Sequence, residues 1–200
     1  MINIALIPTI REQNKNQFEA CVDLRLIEFI KETFSRKKTK IFFSVKKNIN
    51  LVILTGGNDL TTIKKNRKNI LRDRLNLKAL NYAAQKNIPI VGYCGGAQYL
   101  AFKFNSKISY SNKHVGNHGL YTKKNNFFKN LLFPKATNSY HKYKIHRLGQ
   151  NLQEICLAPD KSVEFFIHKK KKIYGIMWHP ERKKRIINFD KKLLKKISCI

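Results

Sequence analysis

Apolar residues fall along this chain in two kinds of block. The first kind is short and nearly unbroken: Ile2 to Pro8, Leu51 to Leu54, Ile88 to Tyr93 and Ile173 to Trp178. Runs of this length, apolar at successive positions, predict strands buried on both faces of a parallel sheet. Ile41-Phe42-Phe43 predicts one more. The second kind repeats with helical spacing. From Phe18 to Phe34 the apolar positions are Phe18, Cys21, Val22, Leu26, Phe29 and Ile30, and Leu71 to Ala84, Ala97 to Phe104 and Arg185 to Ile197 follow the same rule. Strands alternating with helices predict the α/β class: a mostly parallel sheet with helices on both faces.

The alternation is interrupted between about Ser106 and Lys172. Tyr140 to Leu148, Glu154 to Leu157 and Val163 to His168 read there as shorter strands, a small β excursion from the main pattern. The chain shows no internal repeat and no long linker. Its 200 residues, 42% of them hydrophobic, are expected to form one domain over 1–200.

Charge changes this picture less than its size implies. The net charge is +29, which raises the question of a nucleic-acid partner. The basic residues, however, are 32 Lys and only 9 Arg, alongside 20 Asn and 23 Ile. That is the drift of an AT-rich coding sequence. They are spread over the whole chain and do not interleave with aromatics as a base-stacking surface would. No dedicated nucleic-acid partner is expected, although the charge favours anionic small molecules. Lys169 to Lys172 reads as a solvated turn. No apolar run approaches the roughly 18 to 20 residues of a membrane span, and the N-terminal residues show no secretory pattern. Cys21, Cys94, Cys156 and Cys199 lie far apart, without metal spacing or disulfide density. A cytoplasmic location and no metal are expected.

Two segments carry candidate chemistry. In Val91-Gly92-Tyr93-Cys94-Gly95-Gly96-Ala97-Gln98 a buried strand runs through small residues into a helix. A tight strand-to-helix turn can present a nucleophile, and the helix N-terminus favours a thiolate. The competing reading of Cys94 is a buried structural thiol. In Trp178-His179-Pro180-Glu181 the imidazole and the carboxylate are two residues apart, so an extended segment points them the same way. A histidine oriented by a carboxylate is the acid–base partner a thiol requires. Both segments end strands of one inferred parallel sheet, the edge where such sheets carry their sites.

Gly92 to Gln98 together with Trp178-His179-Pro180-Glu181 resembles the class I glutamine amidotransferase superfamily, and within it the free-standing γ-glutamyl hydrolases. The resemblance extends in order over nearly the whole chain, through Leu54-Thr55-Gly56-Gly57-Asn58-Asp59, Arg72-Asp73, Asn138-Ser139-Tyr140-His141 and Val163-Glu164-Phe165-Phe166. It implies a flavodoxin-like fold. It implies Cys94 as nucleophile, His179 as general base and acid, and Glu181 as the residue that orients His179. The oxyanion donors would be the N–H groups of Gly95 and of Gly57, and Gln98 would help hold the glutamyl group. Asn117, Gly119 and Leu120, in Asn117-His118-Gly119-Leu120, would bind substrate. His141 and Tyr140 would either line the pocket or pack the β region, and His114 has no motif behind it. No cofactor is implied.

The sequence departs from its hydrolase relatives at Gly95, where an arginine is common, and at Ala97, where a methionine is. The leaving-group side of the pocket is therefore expected to differ. The run from Ile167 to His179 resembles that of hydrolases acting on a nucleotide-linked γ-glutamyl substrate, and this resemblance implies γ-glutamyl-CDP-amidate of capsule phosphoramidate synthesis as leading candidate. Arg11 and Arg182 are the basic residues expected near the site. The alternatives are γ-glutamyl-γ-aminobutyrate hydrolysis and a glutaminase subunit delivering ammonia to a synthase partner. The distant one is a nucleic-acid-binding protein.

Overall fold

The computed structural model describes residues 1–198, so Cys199 lies outside the described residues. Strand β1 (Ile2–Ile7) leads into a hairpin of β2 (Thr9–Asn14) and β3 (Gln17–Cys21), then helix α1 (Leu24–Phe34). Next come β4 (Thr39–Phe42), β5 (Leu51–Leu54), α2 (Arg67–Gln85), β6 (Ile90–Tyr93) and α3 (Gly95–Lys103). The β-rich stretch holds β7 (Lys107–Tyr110), β8 (Val115–Gly119), β9 (Tyr121–Thr122), β10 (Ala136–Tyr140), β11 (Tyr143–Arg147), β12 (Leu152–Leu157) and β13 (Val163–His168). Strand β14 (Ile173–Ile176) and helix α4 (Asn188–Ser198) follow.

The main sheet runs β4-β1-β5-β6-β14-β13-β11-β7, with β12 also on β13 and β9 on β12. Strands β4 to β14 in that order are parallel, and the pairs beyond β14 are antiparallel. Most of the β-rich stretch thus continues the central sheet, while β8 and β10 pair antiparallel with each other as a separate two-stranded sheet. Strand alternation sends successive side chains to opposite faces. Ile4, Leu6, Leu51, Ile53 and Tyr93 meet α1 and α4 through Phe29, Ile30, Leu194 and Ile197. Ala5, Ile7, Val52 and Leu54 meet α2 and α3 through Ala79, Ala83 and Leu100. Burying each large side chain contributes about 1.5 to 3 kcal/mol, so both helix layers are held by the sheet between them.

One predicted helix starts too early. Phe18 and Cys21 belong to β3, and α1 begins only at Leu24. The Asn14 side chain accepts the N–H groups of Asn16 and Gln17, both at 3.1 Å, and fixes the β2–β3 turn. The Asp23 carboxylate then accepts the Arg25 N–H at 2.9 Å and caps the helix. Helix α2 starts ahead of Leu71 because Asn66 caps it, accepting the Asn69 N–H at 3.0 Å. Lys169 to Lys172 is the exposed turn between β13 and β14, and His168 Nδ1 accepts from two of its N–H groups. Among the described residues, no helix is long and apolar enough to cross a membrane.

Candidate active site

Three adjacent parallel strands, β5, β6 and β14, end at one edge of the sheet. After β5 comes the loop Thr55-Gly56-Gly57, after β6 Cys94, and after β14 the segment Met177 to Glu181. The neighbouring strand ends are tied at the turn itself, where Cys94 N–H donates to Ile176 O at 2.7 Å. Cys94 caps α3 with φ 48° and ψ −107°, a conformation few non-glycine residues adopt. Such backbone costs about 1 to 3 kcal/mol and persists where its surroundings impose it.

Glycines bring the loop against the thiol and the imidazole. A Cβ at Gly56 would lie 2.8 Å from His179 Cε1 and 3.4 Å from Cys94 Cβ. A Cβ at Gly95 would lie 2.6 Å from Gly57 O and 3.0 Å from an Arg72 guanidinium nitrogen. The space beside Gly95 is thus occupied by Arg72, which reaches it from α2. Arg72 is fully buried and donates to Asn58 O at 2.6 Å and to Thr55 O at 2.8 Å. Burial lowers its pKa, while Asp73, Cys94 and Asp59 oppose that shift. Asn58 fixes the other side of the loop, accepting the Ile10 N–H at 2.8 Å and donating to Ile10 O at 2.9 Å. In the sequence Arg72 stands out only as part of a motif, and its position on a buried helix face was the available signal. Arg72→Met would leave one buried and one partly buried carbonyl without their donor, a buried one being worth about 1 to 3 kcal/mol. Denaturant unfolding is expected to show a loss of at least about 2 kcal/mol, and an unchanged midpoint would contradict the clamp.

His179 Nδ1 and Glu181 Oε1 are 2.6 Å apart, and the two residues are 2% and 3% exposed. Burial alone would lower the His179 pKa. Hydrogen bonding to Cys94 and Glu181 outweighs it and raises the value to about 9. The histidine backbone is held on both sides by Asn138, whose amide donates to His179 O at 2.7 Å and accepts the His179 N–H at 3.3 Å. Tyr140, two residues along β10, sets its ring edge-on to the imidazole at 5.8 Å. Cys156 offers a contrast: burial pushes its thiol up to about 12, which suits an inert core residue.

A cavity of about 560 Å³ opens beside Cys94. Gly57, Gln98 and His179 line it, as do Tyr110, Tyr140, His141 and Tyr143. Its charged lining is Asp59, Lys64, Lys142 and Arg182. The structure therefore brings together Cys94, His179, Glu181, Gly57, Gly95 and Gln98. The Gln98 amide nitrogen donates to Tyr143 O at 2.8 Å. Asn117 lines a neighbouring cavity that shares Tyr140 and Arg182 with the first. Leu120 is buried in the core, and Gly119 packs near Pro159. Arg182 lines the cavity as expected, whereas Arg11 is exposed on the hairpin opposite Glu19. Lys64 and Lys142 carry no mark in the sequence, because nothing in a chain this rich in lysine distinguishes them.

A mixed sheet whose adjacent parallel strands end in a glycine loop, a cysteine elbow and a histidine places the chain in the class I glutamine amidotransferase-like proteins. Residues 34–181 match the family model Peptidase C26. The chain belongs to the peptidase C26 family and is a hydrolase acting on an amide bond. Among its relatives is γ-glutamyl-CDP-amidate hydrolase of Campylobacter jejuni, 39% identical over 152 residues, which span 76% of this chain and 72% of the relative. A subunit of the glutamine-hydrolysing GMP synthase of Methanocaldococcus jannaschii is 27% identical over 139 residues, 68% of this chain and 66% of that one. The fold is shared with a solved Thermoplasma acidophilum structure, provisionally described as a GMP synthase subunit. Its TM-score is 0.72 at 18% identity, covering 100% of this chain and 93% of that one.

Proposed function

We propose that the protein hydrolyses the γ-glutamyl amide bond of γ-glutamyl-CDP-amidate through a thioester on Cys94. The Cys94 thiolate attacks the γ-carbonyl carbon, and the N–H groups of Gly57 and Gly95 receive the oxyanion. His179, oriented by Glu181, gives its proton to the departing amidate nitrogen as the C–N bond breaks. It then takes a proton from water, whose oxygen attacks the thioester. Glutamate leaves and the thiolate returns. Gln98 spends its N–H on Tyr143, so its carbonyl oxygen is free to accept from the substrate ammonium. Of the segment Asn117 to Leu120, Asn117 lines the neighbouring cavity and would reach the glutamyl group, while Gly119 and Leu120 would support it from behind.

The observation that carries the substrate is the lining beyond Cys94. Lys64, Lys142 and Arg182 share one cavity with Tyr110, Tyr140 and Tyr143. A small aliphatic leaving group has no use for three cations. A diphosphate has, and a pyrimidine base stacks on tyrosine. A relative named for this substrate supports the same reading. Such a nucleotide-linked substrate belongs to the cytoplasm and to capsule phosphoramidate synthesis. Glutamine hydrolysis for a synthase partner is the second reading, favoured by the likeness to a GMP synthase subunit.

The test is kcat/KM on γ-glutamyl-CDP-amidate, glutamine and γ-glutamyl-γ-aminobutyrate, each at low and high salt. The nucleotide substrate is expected to be far preferred, with its kcat/KM falling as salt rises. Lys142→Ala is expected to cost it roughly 10- to 150-fold, the equivalent of one charge-assisted hydrogen bond, and to leave glutamine turnover nearly unchanged. Equal rates on all three substrates would remove the nucleotide from the account.

A further inference from the structure

On the far side of His141 from the cavity lies a second group of buried titratable residues, and the chemistry above does not use it. Glu164 on β13 is fully buried. Three imidazole nitrogens surround its Oε1: His114 Nδ1 at 3.3 Å, His141 Nε2 at 3.6 Å and His118 Nε2 at 3.7 Å. None of these contacts has both the length and the alignment of a hydrogen bond. Both Glu164 oxygens, His114 Nδ1, His118 Nε2 and both His141 nitrogens lack a hydrogen-bond partner.

The outer contacts fix where the lone pairs point. His118 Nδ1 lies 2.9 Å from Gly119 O, which can only accept, so this nitrogen carries the proton. In the neutral ring, His118 Nε2 then turns a lone pair toward Glu164. His114 Nε2 lies 3.1 Å from Asp160 Oδ2 and 3.2 Å from Ser162 Oγ. Asp160 is itself held by Lys144 Nζ at 2.9 Å and by the Ser162 hydroxyl at 2.6 Å. In a neutral His114 ring the acceptor on Asp160 draws the proton to Nε2, and Nδ1 then also turns a lone pair toward Glu164. With both rings neutral, two lone pairs face one buried carboxylate. That arrangement is costly unless a cation stands between them.

The spacings select the kind of cation. Hydrogen bonds of this type span roughly 2.7 to 3.2 Å, shorter than these contacts. Ligand atoms around a tetrahedral zinc at about 2.0 to 2.2 Å lie about 3.3 to 3.6 Å from one another, close to the contacts seen. His114, His118 and Glu164 each offer one ligand atom, and all three atoms lie within 4.8 Å of one another. An imidazole donating its far N–H to a carboxylate or to a backbone carbonyl is the usual support of a metal-bound histidine. Both forms are present here.

We propose that His114, His118 and Glu164 bind a zinc ion, with His141 the nearest further nitrogen. The nitrogen and oxygen donor set suits Zn²⁺ better than a hard cation such as Mg²⁺. The ion would tie the β8–β10 pair to β13. That matters to the active site, because β10 carries Asn138 and the Glu164 carbonyl accepts the Met177 N–H at 2.8 Å, two residues before His179. A proton is the competing cation, and the experiment separates the two.

The measurement is made on Cys94→Ala protein without an affinity tag, so that the thiol and His179 cannot themselves hold the metal. After dialysis from zinc-containing buffer, elemental analysis is expected to find a single ion per chain. Cobalt in its place is expected to give the strong visible absorption of a tetrahedral nitrogen and oxygen site. His118→Ala and Glu164→Gln should each lose the ion, and His146→Ala, on the exposed face of β11, should keep it. Should these variants fail to fold, the Cys94→Ala protein stripped by chelator is expected to melt at a lower temperature and to recover when zinc returns. Protein that retains no zinc, or that retains it equally in the His118→Ala and Glu164→Gln double variant, would overturn the site. So would a melting temperature indifferent to chelator.

Discussion

Cys94→Ala is expected to abolish γ-glutamyl hydrolysis while leaving the fold intact. Loss of the nucleophile removes the thioester route altogether, and the rate should fall by at least about 10⁴-fold. Stability should change little, by about 1 kcal/mol or less, because alanine fits the same turn and suffers the same backbone strain as cysteine. The turn is imposed from outside, by the Cys94 N–H bond to Ile176 O and by the close packing of Gly56 and Gly95. Cys21→Ala and Cys156→Ala serve as comparisons. The first lies at the end of the hairpin and the second in the core, and neither should affect the rate in protein that remains folded. Steady-state assays beside thermal melts decide the matter. Retained turnover in Cys94→Ala would remove the proposed nucleophile.

His179→Ala carries the second largest effect. It deletes both proton transfers, and general acid–base help is typically worth ~10²- to 10⁴-fold. Glu181→Gln should cost less, since the amide can still accept from His179 Nδ1 and hold the ring. It should also lower the His179 pKa, because Glu181 is one of the two groups that raise it to about 9. The linkage has a definite sign. A histidine whose pKa is raised on folding contributes stability that is complete below its unfolded value of about 6.5. That contribution is lost as the pH rises toward 9. Glu181→Gln should therefore flatten the decline in stability between about pH 6.5 and 9, which denaturant melts across that range would reveal. A larger rate loss in Glu181→Gln than in His179→Ala would contradict the roles given to them.

The parallel half of the fold was legible in the sequence because its strands are buried on both faces. Leu51 to Leu54 and Ile173 to Ile176 admit little but apolar residues, and the pattern marks them directly. The hairpin was not legible. Phe18 and Cys21 sit at a spacing a helix also allows, and the polar side-chain bonds of Asn14 decide between the two. Within the β-rich stretch, β11 to β13 were legible, but β7, β8 and β9 were not. These three are short and mostly exposed, as in Val115–Gly119, so alternation gives only a weak mark. Cys94, His179 and Glu181 could be found because each follows a buried strand. Lys64 and Lys142 could not, since the cavity gathers them from distant loops. The cluster at Glu164 was hidden as well, with its three histidines spread over 28 residues, from 114 to 141.

The central claim is that a γ-glutamyl group passes through Cys94. The most direct measurement treats the pure protein with an electrophilic glutamine analogue and maps the adduct by mass spectrometry. A single adduct on the peptide carrying Cys94 is expected, with inactivation in step with its formation and no adduct in Cys94→Ala. An adduct on Cys21, Cys156 or Cys199, or full activity with Cys94 completely modified, would contradict it.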